Sequence, residues 1–172
     1  MALGEVEVSM ATFFTADQHF GHENIIKYCD RPFKTVTEMD RGIIKRHNDT
    51  VGFDDTVYMI GDFSMSRDFD FVRRKCNRLN GTLILILGNH DYLKPFSYVE
   101  AGFQSVHTAL AGIEGFILHH DPVAAVTVKH ANWLCGHAHG LFQTQKNIVN
   151  VGVDVWDYSP VALEVVRDLV TL

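Results

Sequence analysis

The chain has 172 residues, a formal charge of −6, 47% hydrophobic residues and 21% charged ones. This length fits one domain with a sizeable core and leaves no room for a second catalytic domain. The acidic balance excludes a broad nucleic-acid or membrane-binding surface while allowing a local basic patch. No 18-residue apolar run and no basic-then-apolar leader occurs, and Cys29, Cys76 and Cys135 are widely spaced and form no CxxC pair. A soluble cytoplasmic protein with structural thiols is expected, Cys135 included. Histidine is the anomaly, with ten residues in an acidic chain.

An extended segment over Glu5–Ala16 breaks into Asp17-Gln18-His19, which puts a carboxylate and an imidazole two residues apart at a strand end. A short helix is predicted over Asn24–Tyr28, stopped by Arg31-Pro32. Thr35 or Thr37 caps the next helix, which runs to about His47 with Ile43 and Ile44 inward and a solvated His47 at its polar end. Thr56–Ile60 reads as a strand closed by Gly61-Asp62-Phe63-Ser64, and Asp68–Arg78 as a helix facing inward through Phe71 and Val72. After the Asn80-Gly81 turn comes LILIL, Leu83–Leu87, an uninterrupted apolar run of the kind found in strands buried on both faces. It ends in Gly88-Asn89-His90-Asp91.

Pro95–Ala101 is a short helix or irregular; Phe103–Leu110 and Gly115–Leu118 then suit two strands of a hairpin turning at Gly112. The second of these runs into His119-His120-Asp121-Pro122. Lys129–Leu134 is a further strand, ending in Gly136-His137-Ala138-His139-Gly140, and Asn147–Val153 another, ending at Asp154. Ser159-Pro160 fits the start of a closing helix to Leu169, although Val161, Val165 and Val166 also suit a strand. Strand and helix alternate through most of the chain, which predicts an α/β architecture in a single domain, residues 1–172.

Five strand ends therefore carry Asp17 and His19; Asp62; Asn89 and His90; His119; and His137 and His139. Open α/β sheets place their chemistry just past the carboxyl ends of strands. Two divalent ions a few ångströms apart need an anionic bridge, and Asp62 is the natural one. Mixed imidazole and carboxylate donors suit manganese, iron or zinc rather than calcium. Ser64 follows Asp62 but has no base beside it for a covalent mechanism. Of the two adjacent histidines, His119 is preferred as ligand because it directly ends the run Phe116-Ile117-Leu118, and alternation forbids both from pointing the same way.

In that order, D-x-H, G-D, G-N-H-D, a histidine after a strand and G-H-x-H resemble the calcineurin-like metallophosphoesterase family across Asp17–Gly140. The resemblance implies two mixed sheets packed face to face with helices outside, a four-layer sandwich. It also implies Asp17, His19 and His139 on one ion, Asn89, His119 and His137 on the other, and Asp62 between them. His90, oriented by a nearby carboxylate such as Asp91, would stabilise phosphoryl oxygens or protonate the leaving group. The implied activity is phosphodiester hydrolysis by a hydroxide bridging two divalent metal ions, with phosphomonoester hydrolysis as the alternative. HFGHENIIKYCDRPF and NVGVDVWDYSP further resemble a small bacterial and phage branch without cap insertions, in which His22 and Asn24 would border the substrate.

Lys27, Arg31, Lys34 and Arg67 are the basic residues expected at the mouth, with Arg67 a candidate phosphate contact. Phe20, Tyr28, Phe33 and Phe63 are candidates to stack on a base, or else core and rim packing. A small phosphorylated or nucleotide-like substrate is expected, with duplex nucleic acid disfavoured and no membrane partner.

Overall fold

The computed structural model describes residues 10–170. The part of the predicted first strand before residue 10 lies outside the described residues. In chain order the elements are β1 (Thr12–Thr15), α1 (Glu23–Tyr28), α2 (Val36–Thr50), β2 (Thr56–Ile60), α3 (Phe69–Cys76), β3 (Thr82–Ile86), α4 (Pro95–Ala101) and β4 (Ser105–His107). They continue as β5 (Leu110–Ile113), β6 (Phe116–Leu118), β7 (Asn132–Cys135), β8 (Thr144–Gln145), β9 (Ile148–Asn150), β10 (Val161–Ala162) and α5 (Leu163–Val170).

Two mixed five-stranded sheets result, ordered β10-β1-β2-β3-β4 and β5-β6-β7-β9-β8. In the first, β1 through β4 run parallel and β10 lies antiparallel on β1. In the second, β6, β7 and β9 run parallel between the antiparallel edges β5 and β8.

Alternation along the central strands explains why their sequence shows continuous apolarity. Phe13, Val57, Met59, Leu83 and Leu85 enter one core with residues of α1 to α4. Phe14, Ile60 and Ile86 enter the other, with Phe116, Leu118, Leu134 and Val149 of the second sheet and Leu163 and Val166 of α5. Every second side chain thus goes to the helices and the rest to the other sheet.

Thr35 caps α2, accepting from the Glu38 N–H at 3.1 Å, which decides between the two candidate threonines. Four expectations are revised. Phe103–Leu110 is not one strand: β4 joins β3 in the first sheet, and after a break the chain enters the second sheet as β5. The β5–β6 hairpin turns at Glu114-Gly115, while Gly112, with φ of 77°, sits at a register shift between Ala111 and Ile113. The closing segment is both readings in succession, since Val161 and Ala162 pair with β1 before α5 begins at Leu163. His47 is buried, not solvated, and its Nε2 donates to the Asn80 carbonyl at 2.9 Å. That contact lies across the helix-to-turn junction, which a pattern local to α2 does not reveal.

Candidate metal centre

The parallel strands of both sheets end at one place, and the loops leaving them are held together by short backbone contacts. The Asp17 N–H donates to the Gly61 carbonyl and the His19 N–H to the Asp62 carbonyl, both at 3.0 Å. A parallel bridge between Ala16 and Gly152 ties the end of β1 to the chain leaving β9. Asp17, His19, Asp62, His137 and His139 all have positive φ, from 46° to 65°. For residues with a Cβ this conformation costs on the order of 1–3 kcal/mol each, and such strain gathers where side chains must be aimed. Gly88 is required for contact: a Cβ there would collide with the backbone N and carboxylate of Asp62.

Two groups of donors converge. Asp17, His19 and His139 bring one ligand atom each within 4.8 Å of one another, and Asp62, His120 and His137 do the same. Asp62 joins them. Its Oδ1 accepts from the His90 backbone N–H at 2.8 Å, which leaves Oδ2 facing His19 Nε2 at 3.4 Å and His120 Nε2 at 3.3 Å. Asn89 Oδ1 meets His120 Nε2 at 3.2 Å and His137 Nδ1 at 3.1 Å, completing the second group.

His120 takes the place expected of His119. Its Nδ1 donates to the Ile60 carbonyl at 2.8 Å, so in the neutral ring the lone pair of Nε2 points at Asp62 and Asn89. His119 instead turns its Nδ1 to the backbone of Asp121, 3.1 Å from that residue's N–H. The strand β6 stops at Leu118, and the bend that follows brings the second histidine of the pair inward.

Arg31 and Asp154 are the residues sequence reasoning missed. Arg31 was expected at the mouth, but its side chain is buried: Nε reaches Asp154 Oδ1 at 2.8 Å, and its two terminal nitrogens donate to the carbonyls of Gln18 and Asp17 at 3.0 and 2.7 Å. Asp154 Oδ2 in turn accepts from His139 Nδ1 at 2.9 Å. This guanidinium–carboxylate–imidazole chain fixes the ring of His139 and leaves Nε2 for a ligand. The available signal is Asp154 standing at a strand end, as the candidate ligands do.

Asp91 does not orient His90. It lies beneath the site, accepting from the backbone N–H groups of Asp62, Phe63 and Gly88 at 2.9, 3.0 and 2.8 Å. His90 Nδ1 contacts the Tyr92 hydroxyl at 2.9 Å, and Arg67 lies over the Tyr92 ring at 4.4 Å. His22, His19, His90, His137 and His139 line a cavity of about 760 Å³; Asn24 and Arg67 do not.

The electrostatics favour a cation. Burial pushes the Asp17 carboxyl up to about 6, against the pull of His120 and His139. Burial pushes His19 down to about 3. For Asp62, burial acts upward but is outweighed by the hydrogen bond and charge of His120, which bring it down to about 2. Burial lowers His120, yet the Asp62 hydrogen bond and the Asp17 charge lift it to about 9. The donor set thus draws positive charge inward. His19 is buried with neither ring nitrogen in a hydrogen bond, an orphaned state that a coordinated ion relieves. Nitrogen and oxygen donors in this mixture fit manganese, iron or zinc.

No protein-family model matches the chain. The Gene 66 protein of Mycobacterium phage L5 is 26% identical over 84% of this chain and 87% of its own length. The crystal structure of the protein of unknown function AQ665 from Aquifex aeolicus shares the fold, with a TM-score of 0.73, 22% identity and coverage of 94% of this chain and 100% of that one. The uncharacterized protein MJ1445 of Methanocaldococcus jannaschii is 33% identical over 169 residues, 92% of this chain and 90% of its own. At that identity and coverage the chain belongs to the family of MJ1445.

Proposed function

We propose that the chain is a metal-dependent phosphoesterase of the calcineurin-like type that favours phosphodiesters. One observation carries this reading: a single carboxylate oxygen, Asp62 Oδ2, lies 3.4 Å from His19 and 3.3 Å from His120, with a donor group on either side. Asp17, His19 and His139 hold one divalent ion, Asn89, His120 and His137 the other, and Asp62 serves both. Bound there, the ions supply Lewis acidity that makes water nucleophilic near neutral pH and offsets charge on phosphoryl oxygens.

The chain's own residues do the rest. His90 lines the cavity but belongs to neither donor group, so it is free to hold a phosphoryl oxygen or protonate the leaving group. Asp91 fixes the loops that carry Asp62 and His90. Among the described residues no lysine or arginine lines the cavity, which disfavours the additional charge of a monoester. An apolar core between two mixed sheets, with α1 to α4 on the far face of the first, supports three layers of the four-layer sandwich that the family resemblance implies. Three free cysteines suit a cytoplasmic setting, and among the described residues no helix is long and apolar enough to cross a membrane.

The test is turnover of bis-p-nitrophenyl phosphate and p-nitrophenyl phosphate by Mn²⁺-loaded protein. Hydrolysis of the diester that chelation abolishes is the expected result. A clear preference for the monoester reverses the substrate assignment, and absence of turnover on both overturns the function.

A further inference from the structure

Packing removes most of the aromatic side chains near the metal motifs from contact with any ligand. Phe20 and Phe63 are fully buried and meet edge to face at 5.1 Å. Phe33 packs edge-on against Tyr158 at 5.0 Å. Tyr28 differs, being 74% exposed while lining the cavity that contains His19, His90, His137 and His139. Leu141, 86% exposed, lines the same cavity, as do Met65 and Ile25.

Single exposed apolar residues are ordinary, so exposure of Tyr28 or Leu141 alone means little. Their convergence is more informative. Tyr28 and Ile25 come from α1, Met65 from the loop after Asp62, and Leu141 from the turn after His139, where its N–H donates to the Ala138 carbonyl at 3.0 Å. Three separate segments following the metal motifs therefore supply one apolar wall. Such patches beside polar groups mark ligand grooves. The space, about 760 Å³, is far larger than a phosphate needs.

The wall begins close to the donors. The His19 and His22 rings are 5.7 Å apart, and the His22 and Tyr28 rings 6.2 Å apart and edge-on, so aromatic faces lead outward from the ligand cluster. With no lysine or arginine in the lining among the described residues, affinity beyond the phosphate comes from apolar and stacking contact.

We propose that Tyr28 and Leu141 form the subsite for a planar organic group of the substrate, making a nucleoside phosphate ester the ligand class. The inference rests on the phosphoesterase reading above. The phosphate faces the histidine cluster, and the base lies on Tyr28. Since stacking is tolerant of base identity, the subsite distinguishes nucleoside esters from small alkyl esters more strongly than one base from another.

The test compares dissociation constants of Mn²⁺-loaded protein for the 5′-phosphonate analogue of adenosine and for methylphosphonate, neither of which can be hydrolysed at its carbon–phosphorus bond. Tighter binding of the nucleoside compound by about tenfold or more is expected, the scale of one base–aromatic stack. The Y28A/L141A double variant should keep its manganese content and its affinity for methylphosphonate while losing that preference, and Y28F should retain it. Equal affinities in the parent protein, or a preference that survives Y28A/L141A, overturn the subsite. Because binding is read without turnover, an inactive protein that still shows the preference contradicts the hydrolytic reading alone. An active one without the preference contradicts the subsite alone.

Discussion

His120 Nε2 stands 3.3 Å from Asp62 Oδ2, and the ring is held there from behind by the Ile60 carbonyl. Its neighbour His119 turns away to Asp121. His120→Ala should therefore lose one of two bound ions, whereas His119→Ala should keep both. Metal analysis after dialysis distinguishes the two variants, and the opposite pattern would make His119 the ligand.

Asp154 Oδ2 holds the ring of the candidate ligand His139 through Nδ1 at 2.9 Å. Asp154→Asn removes the anionic acceptor of the Nδ1 hydrogen bond and leaves Arg31 buried without its counter-charge. Partners of this kind typically change metal affinity by about 10- to 100-fold. Calorimetric titration should show weakening at one of the two manganese sites and little change at the other; unchanged affinity at both would reduce Asp154 to a packing role.

His90→Ala should retain two ions yet slow turnover by about 10²-fold or more, the scale supplied by a positioned proton donor or charge-stabilising group. Loss of an ion in this variant would make His90 a ligand.

Away from the site, burial holds His47 below its ordinary value of 6.5. The unfolded chain then takes up a proton near that value while the folded chain does not, so the unfolded state binds more protons as pH falls. The associated stability is complete above about 6.5 and declines below it. His47→Gln, which keeps a donor for Asn80, should flatten the acid side of the stability profile measured by urea unfolding. A profile identical to the parent's would rule out this contribution.

Much of the candidate site was legible because strand ends and candidate metal donors coincide in sequence. Asp17, Asp62 and Asn89 each follow an apolar run almost directly, and the parallel order of β1, β2 and β3 brings those ends side by side. What the sequence concealed depends on distance or on a bend. Arg31 and Asp154 are 123 positions apart, and no local pattern pairs them. The choice between His119 and His120 turns on where β6 stops pleating, and the split between β4 and β5 on a crossing from one sheet to the other. Positive φ at Asp17, His19, Asp62, His137 and His139 is likewise silent in residue identity, since glycine is absent from all five positions.

The bridging position of Asp62 is most directly tested by the electron paramagnetic resonance spectrum of the protein loaded with two equivalents of Mn²⁺. An exchange-coupled pair in the parent protein, lost in Asp62→Asn, is the predicted result. A spectrum of isolated manganese ions in the fully loaded parent protein would contradict it.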